Sequence, residues 1–240
     1  MSSESVAVTE GSEQADPGRL IRAAGDRALL VTPLQRAEVA ELVDAMRAHP
    51  LGGVEDVLPA AETVLVTLLS AEHAESVRRA LATLLLAVQE SAAVANSGSV
   101  SRGTLSDNAS PDDPLVIPVH YDGADLAEVA GLLGMSAADV VAAHTGTVWR
   151  CAFVGFAPGF GYLASPDDRL TVPRRPQSRT TIPAGAVALA GGYTAVYPRS
   201  TPGGWHLIGR TELTMWDVDR DPPALIHAGG FVRFVDADRS

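Results

Sequence analysis

The chain of 240 residues carries twenty-nine acidic side chains against eighteen arginines and no lysine, a net charge of −11. That balance opposes non-specific binding to nucleic acid or an anionic membrane. The missing lysine excludes Schiff-base, lysine-base and P-loop chemistry, and a single Cys151 excludes an internal disulfide and a multi-cysteine zinc site. With no charged-then-apolar leader and no run of eighteen apolar residues, the expected compartment is the cytoplasm, with no metal, nucleic-acid or membrane partner.

Residues 1–18, rich in Ser, Glu and Thr, are expected to form a disordered tail. A strand is predicted over 20–22 and, after the Gly25-Asp26 turn, another over 28–31. Pro33 is placed for a helix start, and Leu34, Val39, Leu42, Val43 and Met46 recur at helical spacing as far as His49-Pro50. Apolar runs at 54–58 and 63–69 precede a second helix from about residue 71, with Val77, Ala80, Leu81, Leu84, Leu85 and Val88 on its apolar face. The order β-β-α-β-β-α predicts an α+β domain over 19–90 with helices on one sheet face. Residues 91–113 have linker composition.

Beyond the linker a strand is predicted over 115–119, then helices over 125–133, closed by Gly134, and 136–144, opened by a Ser136/Asp139 capping box. From Thr147 onward short β-like runs (148–154, 187–190, 195–197, 205–208 and 231–235) alternate with Gly/Pro turns, the pattern of an all-β barrel or sandwich in a second domain over 114–240. The paired helices do not read as a DNA-binding unit. No arginine lies between His120 and Val148, whereas Asp122, Asp125, Glu128 and Asp139 do. Gly159-Phe160-Gly161-Tyr162-Leu163-Ala164 loosely fits a dinucleotide fingerprint, but it runs into the Ser165-Pro166-Asp167-Asp168 turn where a helix would be required. The six histidines are scattered: His144 is expected at a helix C-terminus as a dipole-stabilised cation, with His120 and His206 as weak functional candidates.

The informative stretch runs from Arg150 to Thr211. Its seven arginines (Arg150, Arg169, Arg174, Arg175, Arg179, Arg199 and Arg210) face only Asp167 and Asp168, a local reversal of charge that suits an anionic ligand or an acidic partner surface. Gly/Pro loops with aromatic residues punctuate it: 155–162, Ile182-Pro183-Ala184-Gly185 and Thr201-Pro202-Gly203-Gly204-Trp205. Glycines there allow a ligand close to backbone N–H groups, and exposed aromatics offer flat walls.

The ordered segments Gly155-Phe156-Ala157-Pro158-Gly159-Phe160-Gly161-Tyr162-Leu163, Ile182-Pro183-Ala184-Gly185, Tyr197-Pro198, Pro202-Gly203-Gly204-Trp205 and Ile208-Gly209-Arg210-Thr211 carry a resemblance. With Gly25-Asp26-Arg27-Ala28-Leu29-Leu30 and His144-Thr145, the chain over 19–236 is similar to the allophanate hydrolase subunit 1 family, also called KipI-type, which includes the B-type subunits of 5-oxoprolinase. It departs from the family at Ala186, where serine is common, and at Tyr193, where glutamine is common.

The resemblance implies a small α+β domain followed by a cyclophilin-like β-barrel, and A-type and C-type partner subunits. It also implies a subunit role in ATP-dependent opening of 5-oxo-L-proline to L-glutamate, with ATP as co-substrate. Its alternatives are inhibition of a sensor histidine kinase and a carboxyltransferase-like role in urea or allophanate metabolism. On charge and loop chemistry, Arg174, Arg179 and Arg210 are expected to stabilise developing negative charge. The substrate lactam is expected among Phe156, Pro158, Gly159, Phe160, Tyr162, Pro183, Gly185, Gly203, Gly204, Trp205 and Thr211.

Overall fold

A computed structural model describes residues 17–95 and 111–239; the expected tail up to residue 16 and residues 96–110 of the expected linker lie outside the described residues. The described parts of Met1–Val57 and Thr63–Gly98 form one compact unit, and those of Leu58–Glu62 and Ser99–Ser240 a second.

In the first unit β1 (Ile21–Ala23), β2 (Ala28–Val31), α1 (Arg36–Ala48), β3 (Val54–Pro59), β4 (Val64–Leu68) and α2 (Ala74–Ala95) follow in that order, and the strands align as β1-β2-β4-β3. Alternate residues of β2 and β4 (Leu29, Val31, Val64, Val66, Leu68) face Val39, Leu42, Val43 and Met46 of α1 and Val77, Leu81 and Leu85 of α2. Leu34, expected on the apolar face of the first helix, is exposed. It precedes that helix, and its N–H donates to the Glu38 carboxylate at 3.0 Å. The second helix continues to Ala95, into the stretch expected as linker, through alanines that favour a helix.

The second unit opens with β5 (Leu115–Val119) and two short helices, α3 (Leu126–Leu133) and α4 (Ala137–Thr145). The remaining strands are β6 (Val148–Val154), β7 (Gly161–Ala164), β8 (Arg179–Ile182), β9 (Ala186–Ala190), β10 (Tyr193–Val196), β11 (Thr201–Gly203), β12 (His206–Arg210) and β13 (Phe231–Asp236). Seven of these strands form one sheet in the order β12-β9-β10-β7-β6-β13-β5, while β8 and β11 pair as a separate ribbon. His120 and Arg210 exchange backbone hydrogen bonds of 2.8 and 2.9 Å, so the end of β5 meets the end of β12 and the sheet nearly closes into a barrel. No helix among the described residues is by itself long and apolar enough to cross a membrane.

Strand alternation sorts side chains to two faces of this sheet. Val187, Leu189 and Val196 join Ile117, Val119, Trp149, Leu163, Ile208, Val232 and Phe234 in one cluster, to which α3 and α4 add Val129, Ala130, Val140 and Ala143. Their neighbours Ala186, Ala188, Ala190 and Ala195 lie in a second, aromatic-rich cluster with Ile182 of the ribbon. Both β9 and β10 are therefore buried on both faces. The Ser136/Asp139 capping box closes reciprocally, Asp139 N–H to Ser136 Oγ at 3.1 Å and Ser136 N–H to Asp139 Oδ2 at 3.2 Å.

His144 departs from the dipole-stabilised cation expected of it. The side chain is fully buried, with Tyr121 Oη 2.8 Å from Nδ1 and Thr194 Oγ1 2.9 Å from Nε2. Thr194 donates its own proton to Ala188 O at 3.2 Å, so it accepts from His144 Nε2–H, and the Tyr121 hydroxyl donates to Nδ1. Every polar atom of the imidazole is satisfied in the neutral form, and burial pushes its pKa down to about 3.

An unfolded histidine binds a proton below about pH 6.5, whereas this one does not until much lower. Stability is thus fully present above pH 6.5 and is lost as pH falls towards 3, by up to about 1.4 kcal/mol per pH unit. Urea unfolding between pH 7 and 5, where most carboxylates stay ionised, is expected to show that slope, and His144→Gln is expected to flatten it.

Candidate functional site

The candidate site is built on the second face of the sheet, from the β6–β7 turn outward. A β-bulge in β6 sets Cys151 opposite Leu163 but Phe153 opposite Tyr162, leaving Ala152 as the extra residue. The insertion breaks the alternation that buries Trp149 and Cys151 in the barrel interior, and it moves Phe153 to the aromatic face. There Phe153 stacks on Tyr162 with centroids 4.2 Å apart.

The turn that follows is strained. Phe156 has φ +66°, and the Ala157 N–H donates to Gly155 O at 2.7 Å, the i→i+2 bond of a γ-turn with positive φ. A bulky residue in this region costs energy that the surrounding structure must offset, and such outliers concentrate at functional positions. Phe156 is also 59% exposed, although its ring lies 5.2 Å from Phe160 and 6.3 Å from Tyr197. With Val154, Pro158, Gly159, Trp216 and Ala224 it lines an open depression of about 410 Å³. Gly159, at φ +81°, is required by close approach as well, since a Cβ there would come within 2.9 Å of Trp216 Cβ.

Behind Phe156 the rings interlock. Phe160 contacts Tyr162, Tyr197 and Trp205 edge-on at 4.9, 5.3 and 5.6 Å, and Tyr193 abuts Phe153 and Tyr162 at 5.7 and 5.8 Å. The alanines of β9 and β10 give these rings a flat floor. Exposed aromatic walls are expected from the sequence, but Phe160 and Trp205 are buried, because each is enclosed by the other rings; Phe156 and Tyr162 keep access to solvent.

The arginines divide by their partners. Both Asp125 carboxylate oxygens accept from Arg179, at 2.7 and 2.8 Å, Arg175 adds a bond of 2.8 Å, and the Leu207 N–H adds one of 2.7 Å. The Asp125 side chain is only 4% exposed. Burial alone would push the carboxyl pKa up, but the hydrogen bonds from Arg179 and Leu207 and the charges of Arg179 and Arg175 hold it below the usual carboxylate range. Arg175 also reaches Glu128 at 2.8 Å. Arg210 is exposed and pairs with Asp122 at 2.9 Å and Glu212 at 2.6 Å. Arg174 has no carboxylate partner among the described residues, and its charge acts on the phenols of Tyr162 and Tyr197.

The expected site residues are therefore only partly brought together. Phe156, Pro158 and Gly159 line the depression, and Phe160, Tyr162 and Trp205 belong to the aromatic cluster beside it. Gly203 and Gly204 fit tightly under that cluster: a Cβ on Gly203 would meet Tyr197 Oη at 2.5 Å, and one on Gly204 would meet Ser178 Oγ at 2.9 Å. Gly185 lies against the Thr211 carbonyl and bonds to Thr211 N–H and Tyr197 O, so it, Thr211 and the neighbouring exposed Pro183 shape the end of the sheet. Of the three arginines, Arg179 and Arg210 are held by carboxylates and Arg174 is open. Asp125, Trp216 and Tyr197 are not among the expected site residues. Tyr197 stands in the Tyr197-Pro198 segment, but nothing in the local sequence marks Asp125 as the partner of two arginines. Among the described residues no group of three His, Cys, Asp or Glu side chains is placed to hold a metal ion.

This arrangement has relatives. The family described as the carboxyltransferase domain, subdomain C and D, matches residues 19–226, and the chain belongs to it. The B-type subunit of 5-oxoprolinase from Escherichia coli O157:H7 is 48% identical over 122 residues, covering 50% of this chain and 56% of that protein. The protein of the same name from Bacillus subtilis strain 168 is 45% identical over 122 residues, covering 50% and 51%. The chain thus spans about half the length of these curated relatives. Among solved structures, TTHA0988 superposes with a TM-score of 0.63 at 31% identity over 88% of this chain and 40% of that one.

Two stability outcomes follow from the geometry. Phe156→Gly and Phe156→Ala both delete the ring, but only glycine accepts the positive φ without penalty, so the glycine variant is expected to be about 1 kcal/mol more stable in urea unfolding than the alanine variant. Asp125→Ala, which strands Arg179 and leaves Arg175 with Glu128 alone, is expected to cost about 3 kcal/mol by the same measurement.

Proposed function

We propose that this chain is the B-type subunit of a cytoplasmic, ATP-dependent 5-oxoprolinase complex that hydrolyses 5-oxo-L-proline to L-glutamate beside A-type and C-type partner subunits. The observation that carries the reading is the 48% identity to a protein named as the B-type subunit of 5-oxoprolinase. It is supported by a site of matching chemistry: a strained, exposed Phe156 and a half-buried Tyr162 beside an arginine that no carboxylate among the described residues neutralises. In this reading the cyclophilin-like barrel supplies a rigid floor, and the β6–β7 turn supplies a flat wall for a small ring.

A lactam carbonyl is a poor electrophile. ATP, as co-substrate of the complex, would transfer its terminal phosphoryl group to the lactam oxygen and leave as ADP; water then adds to the ring carbon, the C–N bond breaks to free the amine, and a second water releases phosphate from the resulting acyl phosphate to give glutamate. Arg174 is the cation of the expected three that is free to meet the ligand's negative charge. Arg179, through Asp125, would position the β8 ribbon and the 173–178 loop, and Arg210 would hold the barrel seam with Asp122 and Glu212. The general base is supplied by a partner protein in this scheme.

Glutamate release from 5-oxoproline and ATP is expected only when the chain is combined with its A- and C-type partners, and from none of the three alone. A verified, assembled mixture that forms no glutamate would sink the reading. Phe156→Ala in the active mixture is expected to lower kcat/KM at least tenfold, about 1.4 kcal/mol of transition-state stabilisation.

A further inference from the structure

His206 on β12 is a buried histidine that the proposed function leaves unused. Its side chain is 2% exposed. In the sheet it pairs with Leu189 of β9, while Pro173 approaches its ring from the 173–178 loop and Glu128 from α3. Nε2 lies 3.1 Å from Pro173 O, and because a carbonyl only accepts, the proton of the neutral ring sits on Nε2.

That tautomer leaves Nδ1 as a bare acceptor. The atom is buried and has no hydrogen-bond partner among the described residues. Glu128 Oε2 lies 3.9 Å from it, too far for a bond, and it is itself an acceptor. In the neutral form two lone pairs therefore face each other, and a buried polar atom left unpaired in this way is costly. Turning the ring is no remedy, since Nε2 is already engaged by Pro173.

A proton on Nδ1 removes the conflict. The ring then donates from both nitrogens, and a shift of Glu128 by about 1 Å closes a charge-assisted bond of ordinary length. Glu128 has the freedom to make that shift: its side chain is 49% exposed, and Oε2 accepts one bond, of 2.8 Å from Arg175. The other charged groups around the ring have no such capacity. Both oxygens of Asp125 are filled by Arg179, Arg175 and the Leu207 N–H, Arg174 is exposed, and β9 (Ala186–Ala190) carries no titratable side chain.

We propose that His206 is a proton-operated latch: protonation of Nδ1 draws Glu128 onto the ring, so that one carboxylate ties β12 and α3 to Arg175 and clamps the segment 173–175 against the barrel. In the neutral form Glu128 reaches Arg175 without engaging the ring. Histidine is the side chain that changes charge between pH 5 and 8, so the latch closes as pH falls through that range and opens as pH rises. His206 acts here as a positioning residue, through the backbone on either side of Arg174. The latch stands apart from the 5-oxoprolinase reading, which names only the ligand that Arg174 would meet.

The test uses the full chain alone, with two readouts. One is the NMR titration of the His206 imidazole. The other is hydrogen-exchange protection of the Arg175 N–H, which donates to Gly204 O at 2.9 Å, taken relative to the intrinsic rate at each pH. In Glu128→Gln the proton affinity of His206 is expected to fall at least about threefold. Wild-type protection of the Arg175 N–H is expected to be at least about fivefold greater at pH 5 than at pH 8. That ratio is expected to shrink to about one in Glu128→Gln and in His206→Gln, whose amide can donate to Pro173 O but takes up no proton. Equal proton affinity in wild type and Glu128→Gln overturns the latch. So does wild-type protection that is indifferent to pH, or a ratio that survives in His206→Gln. If His206→Gln does not fold, Glu128→Gln decides alone, because Glu128 is half-exposed and its replacement leaves the core intact.

Discussion

The second unit depends on one carboxylate. Asp125 stands just ahead of α3 and accepts four hydrogen bonds, two on each oxygen, from Arg179 on β8, Arg175 on the loop before it and the backbone of Leu207 on β12. Its own N–H returns a bond of 2.9 Å to Leu207 O. Helix, ribbon, loop and barrel strand are thereby fixed to a single point. A buried charge of this kind is tolerable because every lone pair is used, and the same completeness makes the loss of any one partner expensive.

The aromatic face depends on a second constraint, the sorting of large and small residues in β9 and β10. Valine and leucine fill the barrel, while alanine at the alternate positions leaves room on the outside for the rings and the ribbon. Larger residues at Ala188 or Ala195 would lift the rings from the sheet. The strained Phe156 can then be held at positive φ by its contacts with Phe160 and Tyr197 rather than by its own turn.

Much of this was legible in the sequence, for local reasons. Periodicity marked the helices of the first unit and the runs of the second, and the Ser136/Asp139 spacing marked a cap because capping is decided within four residues. What escaped was non-local. A window from Arg150 to Thr211 counts seven positive charges, but Asp125, Glu128, Asp122 and Glu212 lie outside that window and neutralise three of them. His144 reads as a helix-terminal cation until Thr194, fifty residues on, claims its second nitrogen. The bulge at Ala152 has no turn residue to announce it, so the face on which Phe153 lies could not be read from alternation alone.

The closure of the barrel bears on how the chain reaches its fold. Residues 115–119 bond to 232–236, His120 to Arg210, and Asp125 to Leu207, so the contacts that seal the seam join the beginning of the second unit to its end. During synthesis the first strand of the barrel must wait, with both edges unpaired, until nearly all the rest has emerged. Such high contact order makes folding slow and exposes the waiting strand to aggregation. Pro118, which cannot donate a backbone bond, and the exposed Val116 lie on that strand. A proline at such an edge blunts pairing with foreign strands during the interval.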